Sequence, residues 1–166
     1  MADKECRGET VWVQQQIRLT DRGRGCHHIT PDVEQALEQT MGLRKFDVGV
    51  AHIFLQASSA SLALSDRFDP AARYDTEAAL SSLIPEKSDI WTRICEGSDD
   101  MPALVKNCLV GCSLSIPITS GILNTGHGQG IWLLEHKNFG GGRKLVITVQ
   151  GMYKPTFNKP LGTLGL

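Results

Sequence analysis

Hydrophobic residues in this chain repeat with a period of two near both ends and with a helical period between them, and that order restricts the fold more than any other feature. From Val11 to Leu19, the residues Val11, Val13, Ile17 and Leu19 share one side of an extended chain, interrupted by Gln15, while Gln14, Gln16 and Arg18 share the other. Toward the far end Leu145, Ile147 and Val149 alternate with Lys144, Val146 and Thr148. Successive strand side chains point to opposite faces, so both stretches predict half-buried strands. Between them Thr30 is placed to cap a helix, with Pro31 at its first position and Asp32 in its first turn. Val33, Leu37 and Met41 recur every fourth residue as its buried face, and Gly42 stops it.

Phe46 to Leu55 reads as a buried strand, with the small residues up to Leu64 as its extended continuation. Asp69-Pro70 predicts a turn, Ala71 to Ile84 a helix ended by Pro85, and Asp99-Asp100-Met101-Pro102 the opening of another. Leu104, Cys108 and Leu109 are expected on its inner face, with Gly111 as its stop. Ser113 to Ile118 is a strand, and Gly130 to His136 with Arg143 to Gln150 predict a hairpin turning at Gly140-Gly141-Gly142. Strands first and last with helices between favour an α+β fold over a doubly wound sheet.

The chain has 166 residues, enough for one domain with a real core. No repeat or linker divides it, so residues 11–151 are expected to form a single domain, with a disordered N-terminus over 1–10 and an irregular tail over 152–166. A formal net charge of −1, with acids and bases interspersed, offers no broad attraction to nucleic acid or anionic lipid. The five cysteines are odd in number and contain no C-x-x-C pair, which argues against a zinc ribbon or a secreted disulfide framework. The polar start, Met1-Ala2-Asp3-Lys4-Glu5, has no apolar leader segment, and no apolar run reaches membrane length. The cytoplasm is the expected compartment.

The acids most worth weighing are Asp66, Asp69, Asp75, Asp99 and Asp100, which can hold Mg²⁺ or act as bases. Their structural alternatives are a turn at Asp69 and a helix cap at Asp99 or Asp100. The histidines show no H-E-x-x-H or H-x-E signature. His136 beside Glu135 is the one to set apart. Cys108 and Cys112, four apart on a helix, read as small buried hydrophobes.

Taken in order, these segments resemble one family. The matches are Arg24-Gly25 with His27-His28-Ile29-Thr30, then His52-Ile53-Phe54-Leu55-Gln56, Ser59-Ala60-Ser61-Leu62 and Asp69-Pro70. Further on come Glu96-Gly97-Ser98-Asp99-Asp100-Met101-Pro102-Ala103, Ser113 to Ile118, Gln129-Gly130-Ile131, Glu135-His136 and Gly141-Gly142-Arg143. Together they resemble the YjbQ family, also called the secondary thiamine-phosphate synthase family, from about Trp12 to Gly151. The resemblance implies a mixed β-sheet bent into a half-barrel with helices packed on it. It also implies a homotrimer with pockets near the subunit interfaces, and condensation of a pyrimidine diphosphate with a thiazole phosphate.

The departures bear on function. Family histidines stand where this chain has Ala57, Arg93 and Leu104; an Asn-Glu pair becomes Ser65-Asp66, and a Gly-Thr-Trp-Gln motif becomes Gly126-His127-Gly128-Gln129. Three converging imidazoles suit Zn²⁺ or a similar ion. Alanine, leucine and a permanently protonated guanidinium offer no lone pair to a metal. The expectation is therefore a member without the histidine triad: a non-catalytic, ligand-binding or structural homotrimer with no metal. Arg93, Ser58, Ser59, Asp69, Gln129, Glu135 and His136 are candidates to hold a small anionic ligand. The alternative is a weak thiamine-phosphate synthase in which Asp66, Asp99 and Asp100 act and Mg²⁺ rides on a diphosphate. A third reading is an interaction subunit with no small-molecule ligand.

Overall fold

The alternation near both ends of the chain becomes one ladder. In the computed structural model, which describes residues 8–92 and 96–157, β1 (Val11–Arg18) pairs antiparallel with β8 (Lys144–Tyr153), Val11 opposite Gly151 and Arg18 opposite Lys144. β8 belongs to a sheet whose other members are β3 (Phe46–Leu55), β5 (Ser113–Thr119) and β6 (Ile122–Leu123), in the order β1-β8-β3-β5-β6. A second sheet holds β2 (Gly25–His28), β7 (Gln129–Glu135) and β4 (Ala60–Asp66), in the order β2-β7-β4. The class is α+β. All the ladders are antiparallel, so two antiparallel sheets, neither closed into a barrel, stand where one mixed sheet was expected.

The main core lies between the sheets. Ile53, Leu55, Ile116, Leu145, Ile147 and Val149 come from the large sheet, and Ala60, Leu62, Ile131 and Leu133 from the small one. The helix α1 (Thr30–Ala36) and a wider π-turn over Leu37–Met41 close the gap with Val33, Leu37 and Met41, all buried as their spacing requires. Gly42 ends the turn at φ +62°, a left-handed conformation that favours glycine. Thr30 does not cap α1; its Oγ1 accepts the N–H of Ile131 at 2.7 Å and ties the helix start to β7. A smaller cluster of Cys26, Trp132 and Leu134 lies on the other face of the small sheet. It packs with Ala72 and Leu80 of α2 (Ala71–Leu83) and Val110 of α3 (Asp100–Val110).

Four sequence expectations change here. Residues 130–150 form no hairpin, because β7 belongs to the small sheet and β8 to the large one. The reason is burial: every residue from Gly130 to Glu135 is buried, so β7 needs cover on both faces and partners on both sides. The stretch after Leu55 is not a continuation of β3, since Gln56–Ser59 carries the chain from the large sheet to the small one. On α3 the buried residues are Asp100, Pro102, Ala103 and Lys106, while Cys108 and Leu109 face solvent. Ala103 is small enough to let the helix settle against β4, and that sets its phase. Finally, Met152 and Tyr153 belong to β8, two residues past the expected end of the domain. Residues 1–7 and 158–166, which contain most of the expected disordered N-terminus and tail, lie outside the described residues.

Candidate functional site

Glu135 ends β7 with its carboxylate fully buried. A buried carboxylate needs a charged partner, and the crossover to β8 supplies it. Arg143 donates from Nε to Oε2 at 2.6 Å and from Nη2 to Oε1 at 2.7 Å, a bidentate fork. Its Nη2 also reaches Ser59 Oγ at 3.1 Å. The Lys137 backbone N–H donates to Glu135 Oε1 at 3.0 Å. Gly140 passes so close that a Cβ there would sit 2.4 Å from Glu135 Oε2. Gly140→Ala is therefore expected to displace the ion pair and destabilise the fold by about 1–3 kcal/mol, read as a lower urea midpoint.

At the start of α3 Asp99 and Asp100 turn toward the same crossover. Lys137 Nζ lies 3.1 Å from Asp100 Oδ1 and 3.5 Å from Asp99 Oδ1. Asp99 Oδ2 accepts the N–H of Asn138 at 2.8 Å, and its side chain makes no cap bond to the helix. Burial works against the Lys137 ammonium, but the two carboxylates outweigh it and raise its pKa. These groups surround a cavity of about 320 Å³ whose wall includes Ser58, Ser59, Leu104, Lys137 and Arg143.

His136 faces away from Glu135, as neighbours at a strand end do. It is buried, Ser61 Oγ lies 2.9 Å from its Nε2, and burial together with the nearby Lys106, Arg24 and Arg143 charges pushes its pKa down to about 4. Lys106, 1% exposed, lies 3.0 Å from Ser81 Oγ and 3.5 Å from Glu77 Oε1. Arg24 bonds both Glu77 and Glu86. Burial raises the Glu77 pKa, but bonds from Arg24 and Ser81 and the Lys106 charge outweigh that and hold it low.

The candidates do not all meet. Ser58, Ser59, Asp99, Asp100 and Glu135 converge on the cavity or its floor, and His136 lies behind it. Asp66, Asp69 and Gln129 do not join them. Asp66 pairs with Gln129 at one end of the β4–β7 ladder and Ala60 with Glu135 at the other, which puts six residues, or about 20 Å, between the two groups. There Asp66 Oδ1 accepts the N–H groups of Phe68 and Asp69 at 2.7 and 2.9 Å, and these amides keep its pKa low. Asp69 Oδ1 accepts from Ala71 at the start of α2, and Gln129 Oε1 accepts from Gly126, both at 2.8 Å. These three residues build turns. Leu104 lines the cavity and Ala57 packs against the core. Arg93 lies outside the described residues. Among the described residues, no cluster of three or more His, Cys, Asp or Glu is placed to hold a metal.

Sequence reasoning missed Lys137, Arg143 and Lys106 as partners. The available signal was the count of acids. Glu135, Asp99 and Asp100 each border an apolar segment, and buried acids demand cations.

A family model described as "UPF0047 protein YjbQ-like" matches residues 15–152. The chain belongs to the YjbQ-like UPF0047 family. It is 36% identical over 141 residues to UPF0047 protein YjbQ of Escherichia coli O157:H7, covering 85% of this chain and 99% of that one. It is 30% identical over 138 residues to a UPF0047 protein of Synechocystis sp., covering 83% and 91%. The fold is similar to a crystal structure titled as a YbjQ-like protein of unknown function from Sulfolobus solfataricus, with a TM-score of 0.75 at 18% identity, covering 87% of this chain and all of that one. A conserved hypothetical protein from Thermus thermophilus gives a TM-score of 0.67 at 24% identity, covering 80% and 97%. In the cavity described above, acids and bases bond to each other. No described helix is long and apolar enough to cross a membrane.

Proposed function

We propose that this UPF0047 chain is a non-catalytic member whose family site serves as an internal brace, and that it acts as a homotrimer. The observation that carries this reading is the pairing of Lys137 with Asp99 and Asp100 beside Leu104. Carboxylates meant for Mg²⁺ on a diphosphate have to be open to the ion, and here an ammonium already engages both. The residues do not fit a histidine-held metal either, because Leu104 and Ala57 have no donor atom. Nor does charge favour an anionic ligand. Among the described residues around the cavity, Glu96, Asp99, Asp100 and Glu135 outnumber Lys137 and Arg143.

The outer face of the large sheet supports assembly. Its rows run Trp12-Gln150-Val50-Pro117, Gln14-Thr148-His52-Ser115 and Gln16-Val146-Phe54-Ser113. His52 is the only ionisable side chain in these rows, and Trp12, Val50 and Phe54 are 64%, 43% and 41% exposed. The Arg18-Lys144 pair at its end carries the charge, and the rest of this partly aromatic sheet face suits a subunit contact.

Elemental analysis of purified protein is expected to find no stoichiometric zinc, and the chain is expected not to complement a strain lacking thiamine-phosphate synthase. The triple variant Ala57→His, Arg93→His, Leu104→His is expected to gain metal, and light scattering to give the mass of three chains. Stoichiometric zinc in the parent protein, or complementation by it, would overturn the non-catalytic reading in favour of the weak synthase. A monomeric mass would remove the trimer.

A further inference from the structure

The small sheet has two outer edges, and among the described residues only one of them is bonded to a further segment. On β4, Leu62 N–H donates to Gly111 O at 3.1 Å, and the Asn107 side-chain amide donates to Ala60 O. The end of α3 thus covers that edge. On β2, Ile29 N–H donates to Ile131 O at 2.8 Å, continuing the register that sets His27 opposite Leu133 and Gly25 opposite Glu135. Backbone groups alternate in direction along an antiparallel strand. Gly25, His27 and Ile29 therefore turn theirs toward β7, and Cys26 and His28 turn theirs outward. Among the described residues no turn, loop or cap bond reaches the outward groups.

Beside this edge lies a cavity of about 440 Å³, larger than the one at the family site and separate from it. Residues 24–27 form one wall. The other is a single face of α2, with Arg73 and Tyr74 at one end and Ser81 at the other. The Arg24 charge inside it is already matched, since Arg24 is held by Glu77 and Glu86. Arg73 is exposed and makes no ion pair with a described residue. Tyr74 is 77% exposed, an aromatic ring at the rim.

An open strand edge beside a helix is a template for another strand. We propose that this groove binds an extended peptide bearing a carboxylate, which adds to β2 as a fourth strand, with the carboxylate on Arg73 and an apolar side chain on Tyr74. The four residues of β2 span about 13 Å, enough for the outward groups of Cys26 and His28 to pair with alternate residues of the peptide. A guanidinium without an ion-pair partner among the described residues selects the carboxylate. The inference uses no group of the family site, so it stands or falls independently of the non-catalytic reading.

The test uses the full chain and a phage-displayed octapeptide library. Recovered peptides are expected to share an Asp or Glu beside an apolar residue. On binding, hydrogen exchange is expected to slow at the Cys26 and His28 amides, with little change at Gly25 and His27. N-methylation of alternate peptide amides is expected to weaken binding at least about tenfold, while methylation of the intervening amides is tolerated. Arg73→Glu, on an exposed helix position, is expected to weaken binding to a similar degree with an unchanged circular dichroism spectrum. Recovery of no acidic peptide would overturn the proposal, as would binding without the alternating N-methyl pattern. Protection of Cys26 and His28 in the free chain would also overturn it, since the edge would then already be covered by a second copy or by another segment of the chain.

Discussion

Arg143→Met is expected to lower the unfolding free energy by about 3–5 kcal/mol, the cost of leaving a buried charge without its partner. The abandoned group is Glu135, whose side chain is 1% exposed. Its oxygens lose both arms of the fork and, among the described residues, keep the Lys137 amide. Arg143→Lys is expected to recover only part of the loss, because one ammonium cannot reproduce two parallel bonds. The double change Arg143→Met with Glu135→Gln is expected to be markedly more stable than Arg143→Met alone, since it removes the stranded charge. Urea unfolding of the three variants measures this. Equal stability of Arg143→Met and the parent protein would show that Glu135 is not held as an anion by this pair.

Acid is expected to act through His136. In the folded chain its pKa falls to about 4 from an ordinary value of 6.5. As pH drops below 6.5 the unfolded chain takes up a proton that the folded chain refuses until about pH 4. Stability is thus fully present above pH 6.5 and drains away between 6.5 and 4. The total is about 3 kcal/mol, to order of magnitude. Glu77, held low by Arg24, Ser81 and Lys106 against its burial, works in the same direction but begins only below its ordinary 4.5. The two contributions therefore separate on the pH axis. His136→Gln keeps a polar group near Ser61 and is expected to flatten the unfolding free energy between pH 6.5 and 4.5. If it loses as much stability there as the parent, another group carries the effect.

What the sequence revealed followed from how local its cause was. The strand at Val11–Arg18 and the buried face Val33, Leu37, Met41 were readable because period and burial coincide along a few residues. Thr30 was misread as a cap because its partner, Ile131, lies a hundred and one positions away. The hairpin failed for a similar reason. Alternation shows that β8 has one wet face, but not which strands flank it, and the unbroken burial of β7 was the better clue. At the site, Ser59, Asp99, Asp100, Glu135 and His136 were legible as chemistry-bearing types. Which of them meet was not, because Asp66 and Gln129 look equally suitable until the β4–β7 register sets them at the far end.

The strand order of the large sheet also constrains how the chain is made. β8 lies between β1 and β3, yet it is the last of the described strands to be synthesised. Until it emerges, β1 has no partner and β3 is bonded on one side only, to β5. A nascent chain therefore carries a gap in its sheet, flanked by two open edges, until residues 144–153 have left the ribosome. Contacts this distant in sequence form slowly, and open edges invite pairing with the wrong strand. Expression at low temperature or with chaperones that shield unfinished sheets is expected to favour closure of this topology on itself over pairing with a neighbour.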